Sequence, residues 1–141
     1  MNLIEKITTE IKENGACNSF KGGTVEALVE QVFTSQGIEF LIKTGFPGIH
    51  EFREVLQQED LKKFGIYVDC GRIDLSEERN VLLVGNTEAM LHYKDCQRNK
   101  VYVIHGAKAD IKASGYAVIR LERDASSIAN IEVLDKAVIL R

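Results

Sequence analysis

His92 and Cys96, with three residues between them, and Cys70 and His105 nearby in the chain, are the residues of this sequence best suited to hold a metal. A structural zinc site takes four Cys or His ligands, usually as two closely spaced pairs. His92-x3-Cys96 is one loose pair, and Cys70 with His105 makes no second. No metal and no other cofactor is therefore expected. A thiolate hydrolase needs its cysteine beside a base that a third group orients. Cys17, Cys70 and Cys96 have no such local company. Asp69 with Asp74, or Glu77 with Glu78, supply the carboxylate pairs that glycoside hydrolysis uses. The chain has no Trp to stack on a sugar ring, and these acids read more simply as charges in turns. Lys21-Gly22-Gly23-Thr24 places a Gly-Gly step before a helix, where backbone N–H groups can hold an anion. It lacks the spacing of a P-loop, and reads as a loop ending in a helix cap. No catalytic residue is assigned.

Composition narrows the partners. The net charge of -3 and 28% charged residues describe a soluble, mildly acidic chain. Residues 1–64 carry seven basic and ten acidic side chains, and residues 65–141 carry eleven of each. A nucleic-acid or membrane-surface binder needs a clustered surplus of Lys and Arg, so neither partner is expected. No apolar run reaches the length of a membrane span. Met1 to Asn14 is amphipathic, with Glu5, Glu10 and Glu13, and lacks the basic start of a signal peptide. Three widely spaced cysteines suit free thiols in a reducing compartment. The expected location is cytoplasmic.

The elements divide the chain in two. Residues 1–64 follow helical periods and are read as a helical cap subdomain. Leu3, Ile4, Ile7 and Ile11 share one face of a first helix, with Asn2 and Glu5 as a weak capping box and Gly15 as its stop. Thr24 can cap a second helix, in which Val25, Leu28, Val29, Val32 and Phe33 keep i, i+3, i+4 spacing. Ile38 to Lys43 suits either a short helix or a strand. Ile49, Phe52, Val55 and Leu56 define a third stretch, and Leu61 with Phe64 a last turn before Gly65. Successive short helices suggest a helix-turn-helix reader of DNA, but His50 to Asp60 carries one Arg and four acids. A recognition helix meeting phosphates rarely has that balance.

From Ile66 the period changes to two, and a repeat of 20 residues emerges. Ala89-Met-Leu-His-Tyr93 is echoed by Ala109-Asp-Ile-Lys-Ala113 and by Ala129-Asn-Ile-Glu-Val133, with Asp69-Cys-Gly-Arg-Ile73 as a weaker copy. Odd positions form apolar columns: Gly71, Leu91, Ile111, Ile131; Ile73, Tyr93, Ala113, Val133; Val81, Val101, Leu121. A column of Leu83 and Val103 fails at Arg123. In-register columns are what a single-chain β-solenoid needs, one coil per repeat. The fold class is α+β: a helical N-terminal cap, then a β-solenoid of about four coils over residues 65–141, about 19 Å tall at the usual strand spacing. The alternative is an antiparallel β-sandwich with a helical subdomain, which explains the alternation but not the register.

Residues His105-Gly-Ala-Lys-Ala-Asp-Ile-Lys-Ala-Ser-Gly-Tyr-Ala-Val-Ile119 resemble the repeats of small uncharacterised bacterial β-solenoid proteins, with a Lys-Ala step, a Ser-Gly-x-Ala turn and an apolar strand. The resemblance covers about residues 80–141. It implies the fold and a bacterial or mobile-element origin, and no activity.

With odd positions inward, Leu82, Val84, Tyr102 and Ile104 point outward on adjacent coils, and so do Val118, Val138 and Leu140. Such a patch is normally covered, either by the helices folding back along the flank or by another protein chain. The last strand also offers an open edge, guarded only by Arg141. The expected function is a non-enzymatic interaction or assembly module whose partner is protein, a second copy in a homodimer included. The alternative is a small enzyme or carbohydrate-binding protein that uses the outward polar ladder of His92, Lys112 and Glu132, with Arg72 below them.

Overall fold

The computed structural model describes residues 3–13, 15 and 23–141. They fall into two compact units, Met1–Glu59 and Asp60–Arg141. The first is helical: α1 (Leu3–Glu13), α2 (Val25–Val32), α3 (Ser35–Thr44) and α4 (Ile49–Leu56). Ile7 and Ile11 are buried on the apolar face of α1. Thr24 caps α2 by accepting a hydrogen bond from Ala27 N–H at 3.1 Å, and Thr34 does the same for α3 through Gly37 N–H at 3.0 Å. That second cap turns the ambiguous stretch Ile38–Lys43 into helix, because nucleation begins before it and Ile38 and Leu41 bury one face. Asn2, Cys17, Lys21 and Gly22 lie outside the described residues.

The second unit opens with a 3-10 turn (Leu61–Phe64), closed by Gly65 in the left-handed region. Nine strands follow: β1 (Ile66–Val68), β2 (Gly71–Ser76), β3 (Asn80–Val84), β4 (Thr87–Tyr93), β5 (Arg98–Ile104), β6 (Lys108–Ala113), β7 (Val118–Arg123), β8 (Ile128–Val133) and β9 (Val138–Leu140). They wind into a β-solenoid of two parallel sheets, β1-β3-β5-β7-β9 and β2-β4-β6-β8. Each strand crosses to the opposite sheet, so strands adjacent in sequence never pair. This arrangement excludes the antiparallel sandwich.

From β3 onward the register is the 20-residue repeat: Val81 pairs with Val101 and then Leu121, Ala89 with Ala109 and Ala129, Leu91 with Ile111 and Ile131. The first coil differs. Ile66 pairs with Leu82 and Ile73 with Ala89, an offset of 16. The columns that begin with Gly71 and Ile73 are corrected accordingly. Leu91 stacks on Leu75, and Ala89 on Ile73. Because the difference is an even number of residues, the inward and outward faces are preserved. Inward Val81, Leu83, Ala89, Leu91, Val101, Val103, Ala109 and Ile111 form one fully buried core. Arg123 follows Val103 in register but is exposed, its guanidinium donating to Ser127 C=O at 3.2 Å.

The corners decide how tightly coils stack. Gly115 has φ +60°, and a Cβ there would lie 2.6 Å from the Lys94 carbonyl oxygen of the coil below. Only glycine satisfies both conditions.

Candidate functional site

The outward face of the β2-β4-β6-β8 sheet carries three files of side chains: Arg72, Glu88, Lys108, Ile128; Asp74, Met90, Asp110, Asn130; and Ser76, His92, Lys112, Glu132. Strand register thus unites the polar ladder of His92, Lys112 and Glu132. It replaces Arg72 with Ser76, since the shorter first coil moves Arg72 beside Glu88, with Arg72 Nε 3.5 Å from a Glu88 carboxylate oxygen. His92 Nε2 lies 3.3 Å from Asp74 Oδ1. Both side chains are well exposed. Water therefore screens the pair, and Asp74 lacks the burial that lets a carboxylate fix the imidazole of a catalytic triad. A groove of about 490 Å3 runs past the ladder and is also lined by Glu77, Lys94, Ser114 and Leu134 from the adjoining corner.

Acids at the corners are structural. Asp69 accepts from Asn86 N–H at 2.8 Å, Glu77 from Lys94 N–H at 2.6 Å, Asp124 from His105 N–H at 2.8 Å, and Asp135 from Gly115 N–H at 3.0 Å. Each carboxylate ties its own corner to the corner of a neighbouring coil. Burial alone would raise the Asp124 carboxyl, but the His105 N–H, the Ser127 and Ser126 hydroxyls and the His105 ring outweigh it and hold it below its ordinary value. Glu77 behaves alike. Burial opposes ionisation, and the Lys94 and Asp95 N–H groups with Arg79 more than reverse it. The pairs Asp69/Asp74 and Glu77/Glu78 thus contribute one stapling acid each.

The apolar candidates separate into two groups. Leu82, Val84, Tyr102 and Ile104 are all buried. Tyr93, an inward residue, is buried as well, and burial raises its hydroxyl above the usual range while that hydroxyl donates to Glu78 C=O at 2.8 Å. Val118 is half-buried, whereas Val138 and Leu140 are 45% and 48% exposed. These last two sit on β9, an edge strand. Sequence reasoning missed Ile128 and Leu134, which are 48% and 56% exposed, and it placed Val133 in an inward column, where it is nevertheless 44% exposed. The parity of Ile128 and Leu134, even and therefore outward, was the signal that marks them. Inward residues of this last coil are also incompletely covered. Ala109, Ile111 and Ile119 are buried, but their stacked successors Ala129, Ile131 and Ile139 are only half-buried.

Among the described residues no three His, Cys, Asp or Glu side chains are gathered in a metal-binding group, and no helix is long and apolar enough to cross a membrane. Cys70 and Cys96 are free thiols. The chain matches no protein-family model, no curated protein and no solved structure.

Proposed function

We propose that this protein is a non-enzymatic assembly module that binds a second copy of itself through the apolar end of its solenoid, formed by β8 and β9. The observation that carries the reading is the half-buried state of Ala129, Ile131 and Ile139, whose counterparts one coil earlier are fully buried. Stacking a further strand layer on them would remove that apolar surface from water, at roughly 25 cal/mol per Å2. Exposed Val138 and Leu140 flank the same end. The likeness of residues 80–141 to small bacterial β-solenoid proteins and the free thiols support a bacterial, cytoplasmic setting within the same proposal.

The test is light scattering after size exclusion over a range of concentrations, for wild type and for Val138→Lys/Leu140→Lys. Both positions are exposed and outward, so the fold tolerates the charges. Wild type should associate, and the double variant should weaken association at least about tenfold, the equivalent of 1.4 kcal/mol. A wild type that stays monomeric at every concentration would sink the reading. The groove beside His92, Lys112 and Glu132 would then be the surface left, favouring the second reading, a small enzyme or carbohydrate-binding protein that uses the ladder.

A further inference from the structure

We propose that two copies of the chain join end to end about a two-fold axis, with β8 pairing antiparallel to its own copy in a register centred on Ile131. The proposal rests on the assembly reading above and specifies its geometry. Ile128 N–H donates to Ala107 C=O, and Leu134 N–H donates to Ala113 C=O. In a parallel ladder alternate residues bond to opposite neighbours. Even positions of β8 therefore bond to β6, and the N–H and C=O groups of Ala129, Ile131 and Val133 face the open side. β8 is the edge of its sheet.

A two-fold interface must be self-complementary, and this strand is. Centred on Ile131, the pairing sets Ile131 opposite the partner's Ile131 and Ala129 opposite the partner's Val133. All of these present their peptide groups to one another, so each pair can exchange both N–H···O=C bonds. On the inner side Ala129 meets a larger Val133, which keeps the core evenly filled. On the outer side exposed Ile128 meets exposed Leu134, and Asn130 meets Glu132. Apolar faces apolar and polar faces polar along the whole row.

The head-to-tail alternative, β8 on β2 of another copy, fits less well. Continuing the register places Val133 against Glu77 and Ile128 beside Arg72. It would bury a carboxylate that caps Lys94 N–H against an apolar side chain. The 3-10 turn Leu61–Phe64 also packs against β1 at that end.

Engineered cysteines read the register directly, in the full chain with Cys17, Cys70 and Cys96 replaced by Ser. Facing residues of a hydrogen-bonded antiparallel pair have Cα atoms about 5.5 Å apart, within disulfide reach. Ile131→Cys should form a disulfide-linked dimer under mild oxidation. Ala129→Cys alone should not, since its copies would lie about 13 Å apart along the strands, and the same holds for Val133→Cys. Mixing those two should yield the mixed disulfide at least about tenfold over either homodimer, if a disulfide needs Cα atoms within about 7 Å. Circular dichroism of each reduced variant checks the fold, and the 129/133 mixture keeps the test open if Ile131→Cys is unstable. An associating protein that fails to cross-link in this pattern, or whose mass grows past two copies, overturns the two-fold register and leaves the assembly reading standing. A monomer that never cross-links overturns both.

Discussion

A single carboxylate ties two neighbouring coils together at Asp69, Glu77, Asp124 and Asp135, and at Asp124 the same group also gathers the hydroxyls of its own corner. It accepts from His105 N–H, from Ser126 Oγ at 2.8 Å and from Ser127 Oγ at 2.7 Å. Asp124→Ala would leave these donors without their acceptor and should cost about 1–3 kcal/mol in urea unfolding. Asp124→Asn keeps an acceptor oxygen and should cost less. Since the native carboxyl titrates below its ordinary value, the unfolded chain binds the proton more readily. The charged form's contribution is therefore complete above the ordinary carboxylate range, near 4, and is lost as pH falls through the lower native value. Unfolding measured between neutral pH and about 2.5 should show that acid loss in wild type and a shallower one in Asp124→Asn. An equal slope in both would move the acid sensitivity to other groups, Glu77 first. Asp74, read as a charge in a turn, stands in β2, but Asp69 and Glu77 were legible in the sequence as acids in turns. Their acceptor role was not, because each partner N–H is supplied by another coil.

Strands here are defined by their neighbours above and below. In β8 the even amides bond to β6 while the odd ones face outward, a distinction that the alternation of side chains does not reveal. Hydrogen exchange at low concentration should therefore split within one strand. Amides of Asn130 and Glu132 should be protected at least about tenfold over those of Ala129, Ile131 and Val133, as expected when opening costs 1.4 kcal/mol more. Uniform exchange along β8 would mean that the terminal coil frays as a whole. At the element scale the sequence was most informative where columns repeat, in β3 to β7. It misled at β2, because a coil shortened to 16 residues still keeps its parity and shows no break in the alternation.

As a stack of near-equivalent coils, the second unit should tolerate removal of a whole one. Deleting residues 99–118 joins Arg98 to Ile119, its next position in register after Val118, and brings Ala89 under Ala129. The shortened protein should keep its β-sheet circular dichroism and unfold at lower denaturant, by several kcal/mol for the lost burial. Deleting one residue fewer reverses the faces of every following strand and should abolish the cooperative transition. Equal behaviour of the two deletions would show that stacking register does not hold the solenoid.

Periodicity alone determined the α+β class, the change from helix to solenoid near residue 65, the 20-residue coil and the inward columns from β3 onward, since each follows from spacing along one chain. The polar ladder was legible for the same reason, apart from the member contributed by the first coil. Tertiary structure alone decided which outward residues meet water. Leu82 and Val138 have the same parity and similar chemistry, yet one is buried and the other exposed. Position within the fold distinguishes them, and a repeat that treats every coil as equivalent carries no record of it. The final coil differs from its predecessors chiefly in having no layer stacked on it, so its half-buried Ile131 and Ile139 became candidates for an interface only once the strands were placed.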